Sequence, residues 1–310
     1  MIAKTRPPLS VDIAVCTFRR PALRQTLSSL FGLSLPEGFR VRLIVADNDA
    51  EPTAQALVHE MRSASPFEIE YVHCPKSNIS IARNACLSAS RSDYLAFIDD
   101  DEVANPSWLQ ELVQTIRATG ADAVLGPVRA IYDTDAPGWM RRGDVHSTMP
   151  VWVSGVIRTG YTCNVILDMR SPHVAGRRFD LSLGQSGGED TQFFSAMTDE
   201  GGRIAFAPGA FLDEPVPAAR ASFSWLAKRR FRSGQTHGRI IASKSAGSGR
   251  FAQSGLALGK SVYCTFAALM RAPMPVRRNQ FILRAILHAG AVAGLLGMRE
   301  VRQYGLVEVS

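Results

Sequence analysis

Short apolar runs alternate with amphipathic segments along about the first 130 residues of the chain. The apolar runs are rich in β-branched residues and predict strands over residues 11–17, 41–46, 68–73, 94–98 and 121–128. The segments between them carry large aliphatic residues at helical spacing and predict helices over residues 22–31, 53–62, 80–89 and 106–119. Strands and helices that alternate in this way predict an α/β fold with a mostly parallel, doubly wound sheet.

The pattern becomes less regular after this region. Residues 131–160 mix polar and apolar positions and contain four glycines, which predicts a long mobile loop. A second α+β stretch ends near Leu212, and the pattern is helical from Ala218 onward. We therefore predict a main domain over residues 1–218, with halves at about 10–130 and 131–218, and a helical extension over residues 219–310.

The predicted extension contains one basic helix and two more apolar ones, over residues 223–241, 255–270 and 280–298. Residues 281–298 are apolar apart from Arg284 and His288, and five arginines flank them: Arg271, Arg277, Arg278, Arg299 and Arg302. Such a segment is marginal for a membrane span and sufficient for a helix that lies at the interface. We expect peripheral attachment to the anionic cytoplasmic face of a membrane, with packing on the main domain as the alternative.

Charge is distributed unevenly along the chain. The net charge of +7 combines +13 over residues 220–310, which hold fifteen lysines and arginines and two glutamates, with −6 over the first 219 residues. A basic tail could bind nucleic acid, but this one lacks the interleaved aromatic residues expected of a single-strand binder. The five cysteines show no CxxC pairing and no secretory leader is apparent, so we expect a cytosolic chain with reduced thiols.

Polar clusters follow three of the predicted strands at the point where each strand ends. They are Thr17-Phe18-Arg19, Asp47-Asn48-Asp49 and Asp99-Asp100-Asp101. Ligands of doubly wound sheets bind beyond the carboxyl ends of the strands. We therefore expect these three clusters to share one edge of the sheet.

Four consecutive acids, Asp99 to Glu102, form the strongest chemical signal. Carboxylates at this density repel one another unless a cation is bound, although acids also decorate helix N-termini. Asp47 to Asp49 could equally form an ordinary turn. The glycine-rich segment from Leu183 to Asp190 ends in two acids and could simply cap a helix.

Six short motifs follow one another along residues 10–240. They are Val15-Cys16-Thr17-Phe18-Arg19-Arg20, Val45-Ala46-Asp47-Asn48, Ile81-Ala82-Arg83-Asn84, Phe97-Ile98-Asp99-Asp100-Asp101, Tyr161-Thr162-Cys163-Asn164 and Gly188-Glu189-Asp190. In this order they resemble the family 2 glycosyltransferases with the GT-A fold, especially those that extend lipid-linked exopolysaccharide units of the succinoglycan type.

This resemblance implies a nucleotide-sugar site in the first half of the main domain. Thr17 and Arg19 would line the nucleotide pocket, Asp47 would accept hydrogen bonds from the base, and Arg83 would hold the nucleotide or its diphosphate. Asp99 and Asp101 are similar to the family's D-x-D pair, with Asp99 toward the ribose, Asp100 beside it and Asp101 on a divalent metal. Magnesium or manganese suits such oxygen ligands.

The resemblance also implies an acceptor site in the second half. Asp190 would be the general base, Glu189 would contact the acceptor or fix its loop, and Asn164 would line the sugar and acceptor site. Arg232 belongs to a basic segment that would close over the diphosphate, with a solvated or membrane-facing helix as the alternative. Asp213 stands where many relatives carry a metal-binding histidine, so it is a candidate second metal ligand.

The implied function is transfer of a sugar, with inversion, from a nucleoside-diphosphate sugar, with a UDP-sugar favoured, to a glycan or lipid-linked acceptor. A sugar-nucleotide nucleotidyltransferase is the alternative enzyme, but it needs a glycine-rich basic loop after the first strand, where Thr17 to Arg20 contain no glycine. A nucleic-acid-binding protein that uses the basic tail is the non-enzymatic alternative.

Overall fold

The computed structural model describes residues 9–35, 38–244 and 247–299. Residues 1–8, 36–37, 245–246 and 300–310 lie outside this description, and with them Arg302 of the predicted extension.

The elements within the described ranges follow the predicted alternation. The strands are β1 (Leu9–Thr17), β2 (Phe39–Asp47), β3 (Glu68–His73), β4 (Tyr94–Asp99), β5 (Val103–Ala104), β6 (Ala123–Leu125), β7 (Val128–Tyr132), β8 (Trp152–Val153), β9 (Val156–Ile157), β10 (Asn164–Asp168), β11 (Ile204–Phe206) and β12 (Leu212–Val216). The helices are α1 (Leu23–Phe31), α2 (Gln55–Arg62), α3 (Ile79–Ala89), α4 (Trp108–Thr119), α5 (Gly138–Gly143), α6 (Glu189–Asp199), α7 (Phe223–Lys244), α8 (Gly247–Leu269) and α9 (Pro275–Leu295).

Seven of these strands form the central sheet, in the order β11-β6-β10-β4-β1-β2-β3. Neighbours are parallel except for β10, which is antiparallel to both β4 and β6. A second sheet joins β5, β12 and β7 beside it. The predicted α/β fold with a mostly parallel sheet is thus confirmed.

Alternating side chains of the central strands supply two apolar cores, one on each face of the sheet. Ile13 and Val15 of β1 point into the core that contains Leu27 of α1 and Trp108 of α4. Ala14 points into the opposite core, which contains Cys86 of α3 and the two phenylalanines of α6. Both faces of the sheet are covered by helices, as the near-continuous apolar strands require.

The segment from residue 131 to residue 160 differs from its prediction as a long mobile loop. It contains the end of β7, the short helix α5 and the β8–β9 hairpin. The register of β7 with β12, which pairs Val128 with Leu212, adds a strand to the second sheet. Residues far apart in sequence form this pairing, so local composition did not indicate it.

The last helices pack as a unit in which α7 and α9 run parallel at very close approach. A Cβ atom added to Gly234 would lie 2.0 Å from the carbonyl oxygen of Leu287, and one added to Gly290 would lie 2.0 Å from that of Phe231. Gly238 and Gly294 make equivalent backbone contacts one turn further along. Only glycine permits two helix backbones to approach so closely.

Helix α9 packs on the rest of the protein, which is the alternative to the predicted interfacial position of residues 281–298. Leu283 of α9 joins Met140, Val145 and Leu226 in a buried cluster. Among the described residues, no helix combines the length and hydrophobicity that crossing a membrane requires.

Close packing of α7 on α9 predicts that Gly290→Ala destabilises the protein. The added methyl group meets backbone, which cannot move away cheaply, so we expect a loss of about 2 kcal/mol or more in the free energy of unfolding. Gly255→Ala in α8 is the matched control, because a Cβ atom there meets nothing within 4 Å. That variant should gain about 0.5–1 kcal/mol from helix propensity. Urea unfolding that gives equal values for both variants would contradict this packing.

Candidate active site

The register of the parallel strands brings the three polar clusters to one edge of the sheet. Thr17 at the end of β1 pairs with Asp47 at the end of β2, and Cys16 pairs with Asp99 at the end of β4. The expectation that these clusters share an edge is therefore met by the geometry.

A cavity of about 250 Å³ opens beside the end of β1. Thr17 and Arg19 line it together with Arg20, Pro21, Leu23, Thr53, Ala54 and Leu57. Arg19 adopts a left-handed backbone conformation with φ 53°, and its Nε donates to the buried Asp49 carboxylate at 2.7 Å. Hydrogen bonding to Arg19 lowers the pKa of Asp49 below its ordinary value. The pair fixes the loop that forms the mouth of the cavity.

Asp47 is fully buried, and its carboxylate holds the loop after β2 together. It accepts hydrogen bonds from the backbone N–H groups of Asp49 at 3.1 Å and Ala54 at 2.8 Å, and from the Tyr71 hydroxyl at 2.8 Å. Three internal donors use most of the acceptor capacity of a carboxylate. Asp47 therefore shapes the cavity wall, whereas the resemblance had implied that it receives hydrogen bonds from a base.

The acidic segment at the end of β4 is largely removed from solvent. Burial raises the pKa of Asp99 to about 6, against the favourable field of Arg83. Burial also raises the pKa of Asp100 to about 7, and the charge of Asp101 adds to this rise. Glu102 is buried too and accepts a hydrogen bond from the backbone N–H of Asp99 at 2.9 Å. Such a concentration of acids favours a bound cation.

Two arginines face Asp101, the outermost acid of this segment. The Arg220 Nη2 atom lies 3.3 Å from the Asp101 carboxylate, and its Nη1 atom lies 2.9 Å from the carboxylate of Glu214. Arg20 approaches Asp101 at 3.9 Å. Burial and the charge of Asp101 raise the pKa of Glu214. Neither Glu214 nor Arg220 is among the residues predicted from the sequence, and the signal that points to Glu214 is its position one residue after Asp213.

Asp213, the predicted second metal ligand, pairs with Arg129. Its carboxylate accepts two hydrogen bonds from Arg129, at 2.8 Å and 3.0 Å. Successive strand residues point to opposite faces, so Glu214 and Asp213 cannot face the same ligand. Glu214 is therefore the β12 acid that joins Asp101.

Glu189 and Arg83 form a buried ion pair between α6 and α3. Burial lowers the pKa of the Arg83 guanidinium, but the surrounding carboxylates, Glu189 foremost, raise it above its ordinary value. Burial raises the pKa of Glu189 and Arg83 opposes that rise. Arg83 thus binds a protein carboxylate, and the pair ties the first turn of α6 to α3. The roles that the resemblance implies for Arg83 and Glu189 stay predictions.

Asp190 begins α6 next to this pair. Its Oδ1 accepts the backbone N–H of Thr191 at 2.6 Å. Its charge, like that of Asp101, contributes to the raised pKa of Asp99. Glu214 of β12 contributes to this rise as well.

Asn164, which is predicted to line the sugar and acceptor site, lies in the interior of the protein. It is fully buried, and its side-chain oxygen accepts from the Trp108 indole N–H at 2.9 Å. Its amide nitrogen donates to the carbonyl oxygens of Pro127 and Ala210 at 2.9 Å and 2.8 Å. Asn164 ties α4 to two loops, and these bonds leave no donor of its side chain for a ligand.

The glycine-rich loop before α6 is packed between α3 and α7. A Cβ atom at Gly184 would lie 1.8 Å from the Asn78 side chain, and one at Gly188 would lie 2.2 Å from Thr236 of α7. The Nε atom of Arg232 is 4.0 Å from the corresponding position at Gly187. The predicted basic segment therefore lies against the loop that carries Asp190.

The sequence model described as Glycosyl transferase family 2 matches residues 12–182, more than half of the chain. The chain belongs to this family. The chain is 59% identical over 302 residues to the succinoglycan biosynthesis protein ExoM of Rhizobium meliloti (strain 1021), covering 97% of the chain and 98% of that protein. It is 23% identical over 249 residues to a glucosyl-dolichyl phosphate glucuronosyltransferase of Haloferax volcanii, covering 73% and 75%.

Solved structures share the fold at low sequence identity. The mannosyltransferase PcManGT from Pyrobaculum calidifontis, solved with GDP-Man and Mn²⁺, superposes with a TM-score of 0.63 at 15% identity, over 96% of this chain and 89% of that one. TarS of S. aureus gives a TM-score of 0.53 at 14% identity, over 91% and 52%. The GT-A fold is confirmed, and the family and the succinoglycan relative show that the chain is a glycosyltransferase.

The carboxylates at the end of β4 and on β12 of this family 2 enzyme suit a cation that a bound diphosphate also coordinates. Asp99, Asp101 and Glu214 offer hard oxygen atoms, and the charge of Asp101 helps to raise the pKa values of Asp99 and Glu214, a repulsion that a divalent cation would relieve. No three His, Cys, Asp or Glu residues of the described ranges form a ready metal cage. The residues therefore fit a magnesium or manganese ion only if diphosphate oxygens complete its ligands.

Burial of Asp100 predicts a particular pH dependence of stability. The folded state, with a pKa of about 7 for this carboxyl, binds the proton more tightly than the unfolded state with its ordinary value of 3.8. The stability that this group contributes is complete below the unfolded pKa and is lost as the pH rises through the folded one. Asp100→Asn should therefore gain about 2 kcal/mol in the free energy of unfolding, relative to the unmodified protein, between about pH 5 and pH 8.

Urea unfolding in EDTA at about pH 5 and about pH 8 measures this gain, and Asp12→Asn is the matched control. Arg42 pairs with the buried Asp12 at 2.9 Å, and although burial opposes it, the net effect of its hydrogen bonds is to lower the pKa of Asp12. The stability contributed by Asp12 is present above its unfolded pKa, so Asp12→Asn should lose the same amount at both pH values. Parallel behaviour of the two variants would contradict the raised pKa of Asp100.

Proposed function

We propose that the protein transfers one sugar, with inversion, from a nucleoside-diphosphate sugar to a hydroxyl of a lipid-linked or polysaccharide acceptor. A UDP-sugar is the favoured donor. The observation that carries this proposal is the arrangement of the acids: β1, β2 and β4 end at one edge of the sheet, and the buried Arg83–Glu189 pair ties the first turn of α6, which contains Asp190, to α3. A cation site and a proton acceptor beside the same sugar are what inverting transfer requires.

Asp190 is the proposed general base. Its Oδ2 atom accepts no hydrogen bond from the side chains and backbone of the described residues, whereas Oδ1 is held by Thr191. The buried Arg83–Glu189 pair fixes the first turn of α6 and so orients Asp190. Asp190 would take the proton of the acceptor hydroxyl as that oxygen attacks the anomeric carbon from the face opposite the departing diphosphate.

Asp101 and Asp99 are the proposed anchors of Mg²⁺ or Mn²⁺, with Glu214 nearby. The bound ion would neutralise charge that develops on the departing diphosphate. Arg20 and Arg220 supply further positive charge at Asp101, and Arg232 lies beside Gly187 in the loop that carries Asp190. The Mn²⁺ and GDP-Man in the structure of the mannosyltransferase PcManGT support a metal-dependent nucleotide-sugar site.

Thr17 and Arg19 line the proposed nucleotide pocket, with Asp100 behind them. Asp47, Arg83 and Asn164 serve the same site as positioning residues, since their polar atoms are engaged within the protein. The similarity to a succinoglycan biosynthesis protein supports an exopolysaccharide acceptor. An acceptor of this kind, if lipid-linked, would place the enzyme peripherally on the cytoplasmic face of the membrane.

A screen of nucleotide sugars tests this function. We expect release of a nucleoside diphosphate from one donor, dependent on Mg²⁺ or Mn²⁺ and abolished by EDTA, with a UDP-sugar the favoured substrate. The product of a successful transfer should carry the anomeric configuration opposite to that of the donor, which NMR would establish. No release from any donor, with or without a glycan acceptor, would overturn the proposal.

Substitution of the two central acids separates their roles. Asp190→Asn should lower turnover at least about a hundredfold and leave nucleotide binding nearly unchanged, because the base acts only on the acceptor proton. Asp101→Asn should lower turnover about as much and also weaken metal-dependent nucleotide binding. Turnover follows from diphosphate release, and binding from isothermal calorimetry with the nucleoside diphosphate.

Asp213→Asn is the matched control, because this carboxylate pairs with Arg129 and does not face Asp101. We expect its turnover to stay within about threefold of the unmodified enzyme. Normal activity in Asp190→Asn would remove the base assignment, and a large loss in Asp213→Asn would restore Asp213 as a ligand in place of Glu214.

A further inference from the structure

Helix α8 carries a continuous apolar face that no other described element covers. Its large members are Phe251, Leu256, Leu258, Val262, Tyr263, Phe266 and Leu269, and Met270 directly follows the helix; each is between 54% and 75% exposed. At about 100° per residue these positions span an arc of roughly 160°, and Gly255 and Gly259 fill the gaps within it. This face contains no charged residue.

The opposite side of α8 is the side that packs on the protein. Ala257, Cys264, Ala267 and Ala268 are buried there against neighbouring helices. Small residues therefore face the protein, and large apolar residues face outward. That is the reverse of what a helix at the surface of a water-soluble domain shows.

Positive charge lies behind this apolar face and beside it. Arg250, Lys260 and Arg271 lie on the side of α8 that carries the buried small residues, and Arg277 and Arg278 follow at the start of α9. The described residues from 220 to 299 contain no Asp or Glu. This part of the chain thus combines exposed aromatic and aliphatic side chains with a net positive charge.

A groove of about 430 Å³ continues the face toward α9. Leu269, Ala272, Ile282 and Ile286 line its apolar walls, and Arg278 stands among them. Such a groove adds apolar area beside a cation, which matches a lipid that has an anionic headgroup and an apolar chain.

We propose that the apolar face of α8 inserts into the interface of an anionic lipid bilayer. This inference rests on the proposed function in one respect: docking on a membrane would bring the enzyme to a membrane-bound acceptor. A second copy of the chain fits the surface less well, because it would bring two strongly positive regions together. We therefore assign membrane contact to α8 and not to the predicted residues 281–298, because α9, which contains most of those residues, packs on α7.

Docking through α8 would fix the active site relative to the membrane. Helix α8 packs on α9, α9 packs on α7, and Thr236 of α7 contacts Gly188 beside the proposed base. The chain of contacts is short and made largely of backbone and small side chains. The insertion surface is thus rigidly connected to the loop that carries Asp190.

Vesicle binding by the full chain tests this inference. The variant Val262→Gln/Phe266→Gln removes two outward side chains, each 62% exposed, and the matched control Val151→Gln/Trp152→Gln removes two of similar exposure from the β8–β9 hairpin region. Vesicles are phosphatidylcholine with about one third phosphatidylglycerol, or phosphatidylcholine alone. We expect the α8 variant to lose at least about tenfold in partition coefficient, and the unmodified protein to bind the neutral vesicles about tenfold more weakly.

Unchanged binding by the α8 variant would overturn the inference, as would a loss confined to the hairpin variant. Light scattering that shows a dimer dispersed by the α8 substitutions, together with no vesicle binding, would assign the face to a second copy instead. Diphosphate release without vesicles separates the two proposals. The α8 variant should retain it, and its absence from the unmodified enzyme would count against the proposed function alone.

Discussion

Repulsion among carboxylates at one edge of the sheet is the constraint on which the rest of the site depends. Asp99 ends β4, whose other residues are fully buried, and Asp100 and Glu102 come after it and are buried too. Burial raises the pKa of each of these three carboxyls, because it disfavours the charged form. A site with this many acids gains most from a ligand that brings positive charge. For the same electrostatic reason, arginines lie beside these acids.

The balancing charges come from distant parts of the chain. Arg20 follows β1, Arg83 lies in α3, and Arg220 precedes α7. Arg83 is committed to Glu189 in a buried pair, whereas Arg20 and Arg220 are more exposed and face Asp101. A buried pair is costly to break because it leaves one charge unpaired, while exposed arginines can exchange partners at little cost. The first kind positions α6, and under the proposed function the second kind would contact a diphosphate.

Sequence patterns predicted the strands, the shared edge and the family, because these depend on local periodicity and on the direction of parallel strands. They did not predict which polar atoms are already engaged. Asp47 and Asn164 have the residue types of a binding site, but their side-chain oxygens already accept hydrogen bonds from the backbone N–H of Ala54 and the indole N–H of Trp108, respectively. The choice between Asp213 and Glu214 depends on the face of β12, and a one-residue shift reverses that face.

The same limit applies to the C-terminal helices. Residues 255–270 and 280–298 have similar apolar composition, so composition alone could not tell which one is buried. The deciding feature is the spacing of Gly290 and Gly294, which matches that of Gly234 and Gly238 on α7. Two glycine pairs allow backbone contact and draw α9 into the interior. Helix α8 has its own glycines, Gly255 and Gly259, but they face open space, so its large apolar residues are left outside.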